Sequence, residues 1–136
     1  PTSSVVTLGD NSKVNSNSVT YIAYLWSNVP GLSKIGKYTG NGNGNGLFVY
    51  TGFKPAFVLF KRETSESWVL ADNIRDPNNP RVNYMLPDLP NATATGVSYD
   101  FVSNGFKFRT TSQNVAGSVY YYIAFAEQNF KYANAE

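Results

Sequence analysis

Between residues 46 and 71 the chain reads GLFVYTGFKPAFVLFKRETSESWVLA, and its apolar positions fall into three short runs. Val49, Tyr50, Phe57, Val58, Phe60, Trp68 and Val69 are β-branched or aromatic, the types that pack well on a pleated surface. Three successive strands are predicted, over residues 47–51, 56–62 and 67–71. Residues 56–60 (AFVLF) are apolar without a break, the pattern of a strand covered on both faces and central in its sheet. Residues 47–51 alternate instead, with Phe48 and Tyr50 on one face and Leu47 and Val49 on the other. Pro55 disfavours the α region for Lys54, so the chain stays extended across the first join. A polar turn over residues 64–67 makes the second.

The remaining patterns read as strands added to this block. Residues 18–26 (SVTYIAYLW) place Val19, Tyr21, Ala23 and Leu25 on one face and Thr20, Ile22, Tyr24 and Trp26 on the other. Both faces are mostly apolar, which predicts a strong central strand, ended by the Pro-Gly turn of residues 28–31. Residues 33–39 (SKIGKYT) predict a mixed-polarity strand at an edge. Residues 4–8 predict a short edge strand within a loose N-terminal segment, 1–17. Residues 97–103 and 106–110 flank Asn104-Gly105, the pair a type I′ hairpin turn prefers. Phe106 and Phe108 are expected inward and Lys107 and Arg109 outward. The last strand, 118–127, has Val119, Tyr121, Ile123 and Phe125 on one face. Tyr120, Tyr122, Ala124 and Ala126 line the other, and a short tail over 128–136 follows. Tyr21-Ile22-Ala23-Tyr24 echoes Tyr122-Ile123-Ala124-Phe125, as two similar central strands would, although four residues do not make a repeat.

Two stretches break the strand pattern. Residues 40–46 (GNGNGNG) predict an exposed, mobile hairpin loop with no side chain to anchor it. A phosphate-cradling role would need a following helix and a Gly-Lys-Ser/Thr signature, and neither is there. Residues 72–95 carry Pro77, Pro80, Pro87 and Pro90, too closely spaced for a helix or a central strand. They predict a long Pro-rich loop, packed through Tyr84, Met85, Leu86 and Leu89, and such loops are usually functional or disordered. About eight strands with no convincing helix give an all-β fold, an antiparallel β-sandwich or jelly roll, as a single domain over 1–136.

Composition narrows the chemistry. The chain has 136 residues, 15% of them charged and 15% aromatic, with a net charge of +2 and no basic block. Neither nucleic-acid binding nor a membrane-surface role is expected, since both need clustered basic residues. With no cysteine and no histidine, thiolate and imidazole metal sites and Ser-His or Cys-His catalysis are excluded. No apolar run approaches the roughly 20 residues that span a bilayer. The chain starts at Pro1 rather than Met, as expected of a processed product or an excised piece.

Several side chains carry candidate chemistry. Asp72, Asp76 and Asp100 are the acids near loops and strand ends, and two carboxylates about 5–9 Å apart could hydrolyse a glycoside. Turn-forming aspartates occupy the same positions without any catalysis. Asp72, Asn73, Asp76 and Asn78 offer hard oxygens to a calcium ion, but their spacing fits no EF-hand loop. Neither a metal nor a cofactor is expected. Trp26 and Trp68, with Tyr24, Tyr38 and Tyr84, could form a platform for sugar rings, while the core or a subunit interface is the competing use of strand aromatics. Arg75, Asp76, Asn78, Asn79, Arg81 and Tyr84 converge on the long loop as candidate ligand contacts, or as residues that pin the loop. Tyr120 and Tyr122 share a face that could bury against another subunit.

The segments YIAYLWSNVPGLSKIGKYTGNG, LFVYTGFKPAFVLFKR, WVLADNIRDPNNP, DFVSNGFKFRT and YYYIAFAEQNFKYANA follow one another in a familiar order. The chain resembles the uncharacterised β-rich domain near the C-terminal end of tailed-phage tail-fibre and related virion proteins. The likeness spans nearly everything from Thr20 on, through the motifs at 37–40, 48–53, 76–80, 101–109 and 123–127. Trp26-Ser27 departs from it, standing where that family tends to have Ala-Glu, as at Ala126-Glu127. No catalytic residues are established for the family, so the resemblance implies a place on the surface of a virion, outside the cell. A non-enzymatic receptor-binding or adhesion domain recognising a host cell-surface glycan or protein is expected. It would be a homo-oligomer, a trimer first, and a partner of other virion proteins. The alternatives are a purely structural virion protein (capsid decoration or fibre assembly) and a glycan depolymerase. Small size, the lack of a repeat architecture and the lack of a clear acid pair weigh against the depolymerase.

Overall fold

The computed structural model describes residues 2, 4–64, 66–90 and 93–127, and the tail expected over 128–136 lies outside them. Among the described residues eight strands run β1 Ser33–Thr39, β2 Phe48–Tyr50, β3 Pro55–Arg62, β4 Val69–Asp72, β5 Arg81–Tyr84, β6 Ala94–Val102, β7 Gly105–Phe108 and β8 Val119–Ala126. They form two four-stranded antiparallel sheets, ordered β1-β8-β3-β4 and β2-β7-β6-β5. The all-β sandwich read from the pattern is the observed architecture. β3 lies between β8 and β4, the central place its unbroken apolar run predicts, and β1 is an edge.

The core is the space between the sheets. Tyr38, Val58, Phe60, Val69, Tyr120 and Tyr122 enter it from the first sheet, and Val49, Val97, Tyr99, Phe101, Phe106 and Phe108 from the second. Phe60 meets Phe108 edge-on with centroids 5.7 Å apart, and Tyr122 meets Phe106 at 5.5 Å. Edge-to-face geometry suits the ring quadrupoles. Tyr38 stacks on Tyr120 across the β1–β8 pair at 4.9 Å. The face carrying Tyr120 and Tyr122 therefore closes on this chain's own second sheet (0% and 4% exposed) and is not a free subunit contact. The partner face of β8, with Tyr121, Ile123 and Phe125, points away from the core.

Residues 18–26 are not a strand. Residues 19–28 join no ladder, and Ile22, Tyr24 and Leu25 are exposed. The reason lies at the turn before β1. Val29 pairs with Ser33, with backbone bonds in both directions. In that register the next rung would join Ser27 to Ile35. The Ser33 hydroxyl takes the Ser27 carbonyl instead (2.8 Å), and the Asn28 side-chain oxygen takes the Ile35 N–H (2.5 Å). Side chains thus take both ends of the Ile35-to-Ser27 backbone bond that would have extended the hairpin. Residues 4–8 also form no strand, and Val5, Val6 and Leu8 are exposed. A one-turn helix, α1 Ser12–Asn15, follows them, its first turn capped by the Asn11 side chain.

Three further expectations are corrected. The stretch 72–95 contains β5, four residues between Pro80 and Pro87 that pair with β6, and Met85 then bridges to Leu70 of the first sheet. Proline is confined to the flanks of this edge strand, where its missing N–H costs no rung. The β6–β7 hairpin forms one residue earlier than the Asn104-Gly105 signal implies, because Val102 pairs with Gly105 and leaves Ser103-Asn104 as the turn. Gly105 is a ladder residue, and a Cβ there would sit 2.1 Å from the Val49 carbonyl. Close approach of β2 fixes that glycine, not the turn. The loop 40–46 is anchored after all. Fully buried Asn114 accepts a bond from the Asn41 N–H (3.0 Å) and donates to the Asn41 side chain (2.7 Å) and the Asn43 carbonyl (3.0 Å).

Candidate functional site

After its diverted turn, the segment before β1 crosses the outer face of the first sheet. A row of apolar side chains runs over that face: Ile35 pairs with Ile123, Ile123 with Leu59, and Leu59 with Leu70. Tyr24 and Trp26 come to lie over it and form one wall of a cleft of about 450 Å³. Leu59 and Ile123 make the floor, and Trp68 with the Pro87-Asp88 turn makes the opposite wall. The rings of Tyr24 and Trp26 stack with centroids 6.0 Å apart and planes 24° from parallel. Alternation along an extended chain puts these two residues on one side. Trp68 immediately precedes β4, and its backbone N–H donates to the Asp88 carboxylate at 3.1 Å. Trp26 and Trp68 keep 51% and 38% of their surface exposed, so both offer ring area to a ligand.

The two tryptophans singled out in the sequence are thus brought together, with Tyr24, although they lie on different segments of the chain. Tyr38 and Tyr84 are elsewhere: Tyr38 is buried between the sheets and Tyr84 packs against the core. Asp88 carried no signal as a site residue in the sequence, since a lone aspartate between two prolines reads as turn chemistry. The cleft can stack the C–H faces of a ring against indole and phenol while Asp88 accepts hydrogen bonds from its polar edge.

The candidate contacts on the long loop are engaged within the chain. Asp76 accepts bonds from the Val82 N–H (2.7 Å), the Asn83 N–H (2.6 Å) and the Asn83 side chain (2.6 Å). Burial works to raise its pKa, but these bonds from Asn83 and Val82, with the nearby Arg81 charge, hold the carboxyl below its ordinary value. Arg81 is 2% exposed, donates to the Asn79 side chain and the Pro77 carbonyl, and lies 4.8 Å from the centroid of the Phe101 ring. Asn79 bonds the Phe101 backbone in both directions. Arg75 pairs with Asp72 at 2.6 Å, and Asn78 is exposed to solvent. Asp76, Asn79 and Arg81 therefore pin the loop over β6. Of the other acids, Asp72 also accepts from the backbone of Ile74 and Arg75, and Asp100 pairs with Arg109 at 2.5 Å. That pair borders a second cleft of about 370 Å³ with Asn79, Pro80 and Ser98, which has no aromatic wall.

These features define an antiparallel β-sandwich with an aromatic cleft on the outer face of one sheet. The chain belongs to a family described as a domain of unknown function (DUF7483), whose model matches residues 1–129. No curated protein and no solved structure matches it.

Proposed function

We propose that this chain is a non-enzymatic tailed-phage virion protein, a tail-fibre receptor-binding domain that attaches the particle to a host cell-surface glycan. The observation that carries the reading is the cleft, whose walls hold the rings of Tyr24, Trp26 and Trp68 together with Asp88. Aromatic faces with a few polar groups, on a rigid scaffold, are the usual make-up of a sugar site. The sequence resemblance to the C-terminal domain of tail-fibre proteins supplies the biological context. Trp26→Ala tests it, because Trp26 lies on an unpaired segment outside the core. Attachment to host cells is expected to fall at least tenfold with the thermal midpoint unchanged. Normal attachment by a stable variant overturns the reading.

A structural role in fibre assembly or capsid decoration is favoured by a different observation. Ile22 and Leu25 stand 79% and 73% exposed beside the cleft wall. Large apolar side chains clustered on one exposed segment suit burial against another chain. A homo-oligomer, a trimer first, accommodates both readings, and light scattering at micromolar concentration tests it. A well-folded monomer would remove the assembly reading and leave the cleft untouched.

A further inference from the structure

The charge around the cleft narrows its ligand, given the glycan-binding reading on which this step rests. Among the described residues lining it, Asp88 is the one charged side chain and there is no lysine or arginine. One carboxylate oxygen is taken by the backbone N–H of Trp68, which fixes the group in place, while the other accepts no bond from a donor among the described residues. Around it stand two indoles and a phenol, whose ring faces carry negative quadrupole charge. Aromatic rings beside a carboxylate favour a cation, and ammonium groups are the ligands that aromatic clusters of this make-up bind. An acidic sugar would meet the same groups unfavourably, with no cation among the described lining residues to pair its carboxylate.

We infer that the Tyr24–Trp26–Trp68–Asp88 cleft recognises an ammonium-bearing glycan, with the cation seated between the rings and Asp88. That chemistry has two sources on a cell surface, an amino sugar with a free amine and a choline-substituted polymer. A quaternary ammonium has no N–H to donate, so it relies on the rings and on charge, whereas a protonated amine also hydrogen-bonds Asp88.

Tryptophan fluorescence separates these cases, with glucosamine oligomers, their N-acetylated counterparts, choline chloride and oligogalacturonate as probes at pH 5.5. Glucosamine oligomers or choline should bind at least tenfold more tightly than the N-acetylated oligomers, and oligogalacturonate should not bind. Asp88→Asn keeps an acceptor for the Trp68 N–H, so the cleft retains its shape. It should reduce binding of the cationic probe about tenfold and weaken the N-acetylated probe, which loses no charge pairing, far less. Binding of choline without glucosamine, or the reverse, assigns the source. Equal binding of neutral and cationic oligomers, or an Asp88→Asn variant with unchanged affinity for both, overturns the ammonium assignment alone. No response to any probe, with no effect of Trp26→Ala on cell attachment, overturns the glycan reading as well.

Discussion

Asn114 is the residue on which the glycine-rich loop depends, and replacing it measures how much. Its side chain is fully buried and makes three hydrogen bonds, one accepted from the Asn41 N–H and two donated to the Asn41 side chain and the Asn43 carbonyl. At about 1 kcal/mol net for each bond, Asn114→Ala should cost about 3 kcal/mol. The backbone bonds between this loop and residues 114–118, from Gly40, Gly42 and Gly117, survive the substitution, so the figure covers the side chain alone. For a domain of this size the loss corresponds to a midpoint lower by roughly 10 °C. Thermal unfolding followed by circular dichroism gives the number. Asn114→Asp should be at least as damaging, since it loses both donors and places a carboxylate where no water reaches. A midpoint within about 2 °C of wild type for Asn114→Ala would show that the loop does not depend on this anchor.

Gly105→Ala puts a Cβ 2.1 Å from the Val49 carbonyl and 2.8 Å from the Phe48 ring, so it should destabilise by about 3 kcal/mol. Gly44→Ala, with nothing within 4 Å, should stay within about 0.5 kcal/mol in the same denaturation assay. Equal effects would refute the packing argument. Acid sensitivity should trace partly to Asp76. Its folded pKa lies below the unfolded value, so its contribution is complete above that unfolded value, about 3.9, and is lost as pH falls through the folded one. Glu127, lowered chiefly by its bond to Lys54 and then by Asn73, adds in the same direction. Urea midpoints of wild type and Asp76→Asn should converge below about pH 4, and a gap constant from pH 3 to 7 would count against this.

What was legible in the sequence is what short-range pattern decides. The run at residues 56–60 identifies a central strand because both of its faces are covered, and Phe106 and Phe108 face inward as their alternation requires. What was not legible was decided at a distance or by a side chain acting as backbone. Residues 18–26 have every property of a strand, yet Ser33 and Asn28 intercept the rung that would have paired them. The loop at 40–46 looks unanchored because Asn114 lies 73 residues from Asn41. β5 hides between prolines that argue against a strand until they are seen to flank it. In the cleft, Trp26 and Trp68 announce themselves by residue type, whereas Asp88 joins them only through its bond to an N–H 20 residues away.

The diverted segment also accounts for an apolar surplus. β3 and β8 are apolar on both faces, more than a lone two-layer sandwich has to bury. Their inner faces make the core, and their outer faces meet in register through Ile123 and Leu59. Tyr24 and Trp26 line a cleft over this row, so part of its cover comes from within the chain. An extended segment can cover a sheet with only one side, however, and alternation sends its other residues outward. The surplus has moved out by one layer, from Leu59 and Ile123 to Leu25 on the segment's other side. A contact between chains would therefore be sought on the segment's outward side, beside the cleft, and not at Tyr120 and Tyr122, where the aromatic run in the sequence points. Ligand and neighbour would then bear on the same segment, so assembly and attachment are expected to influence each other through the position of Trp26.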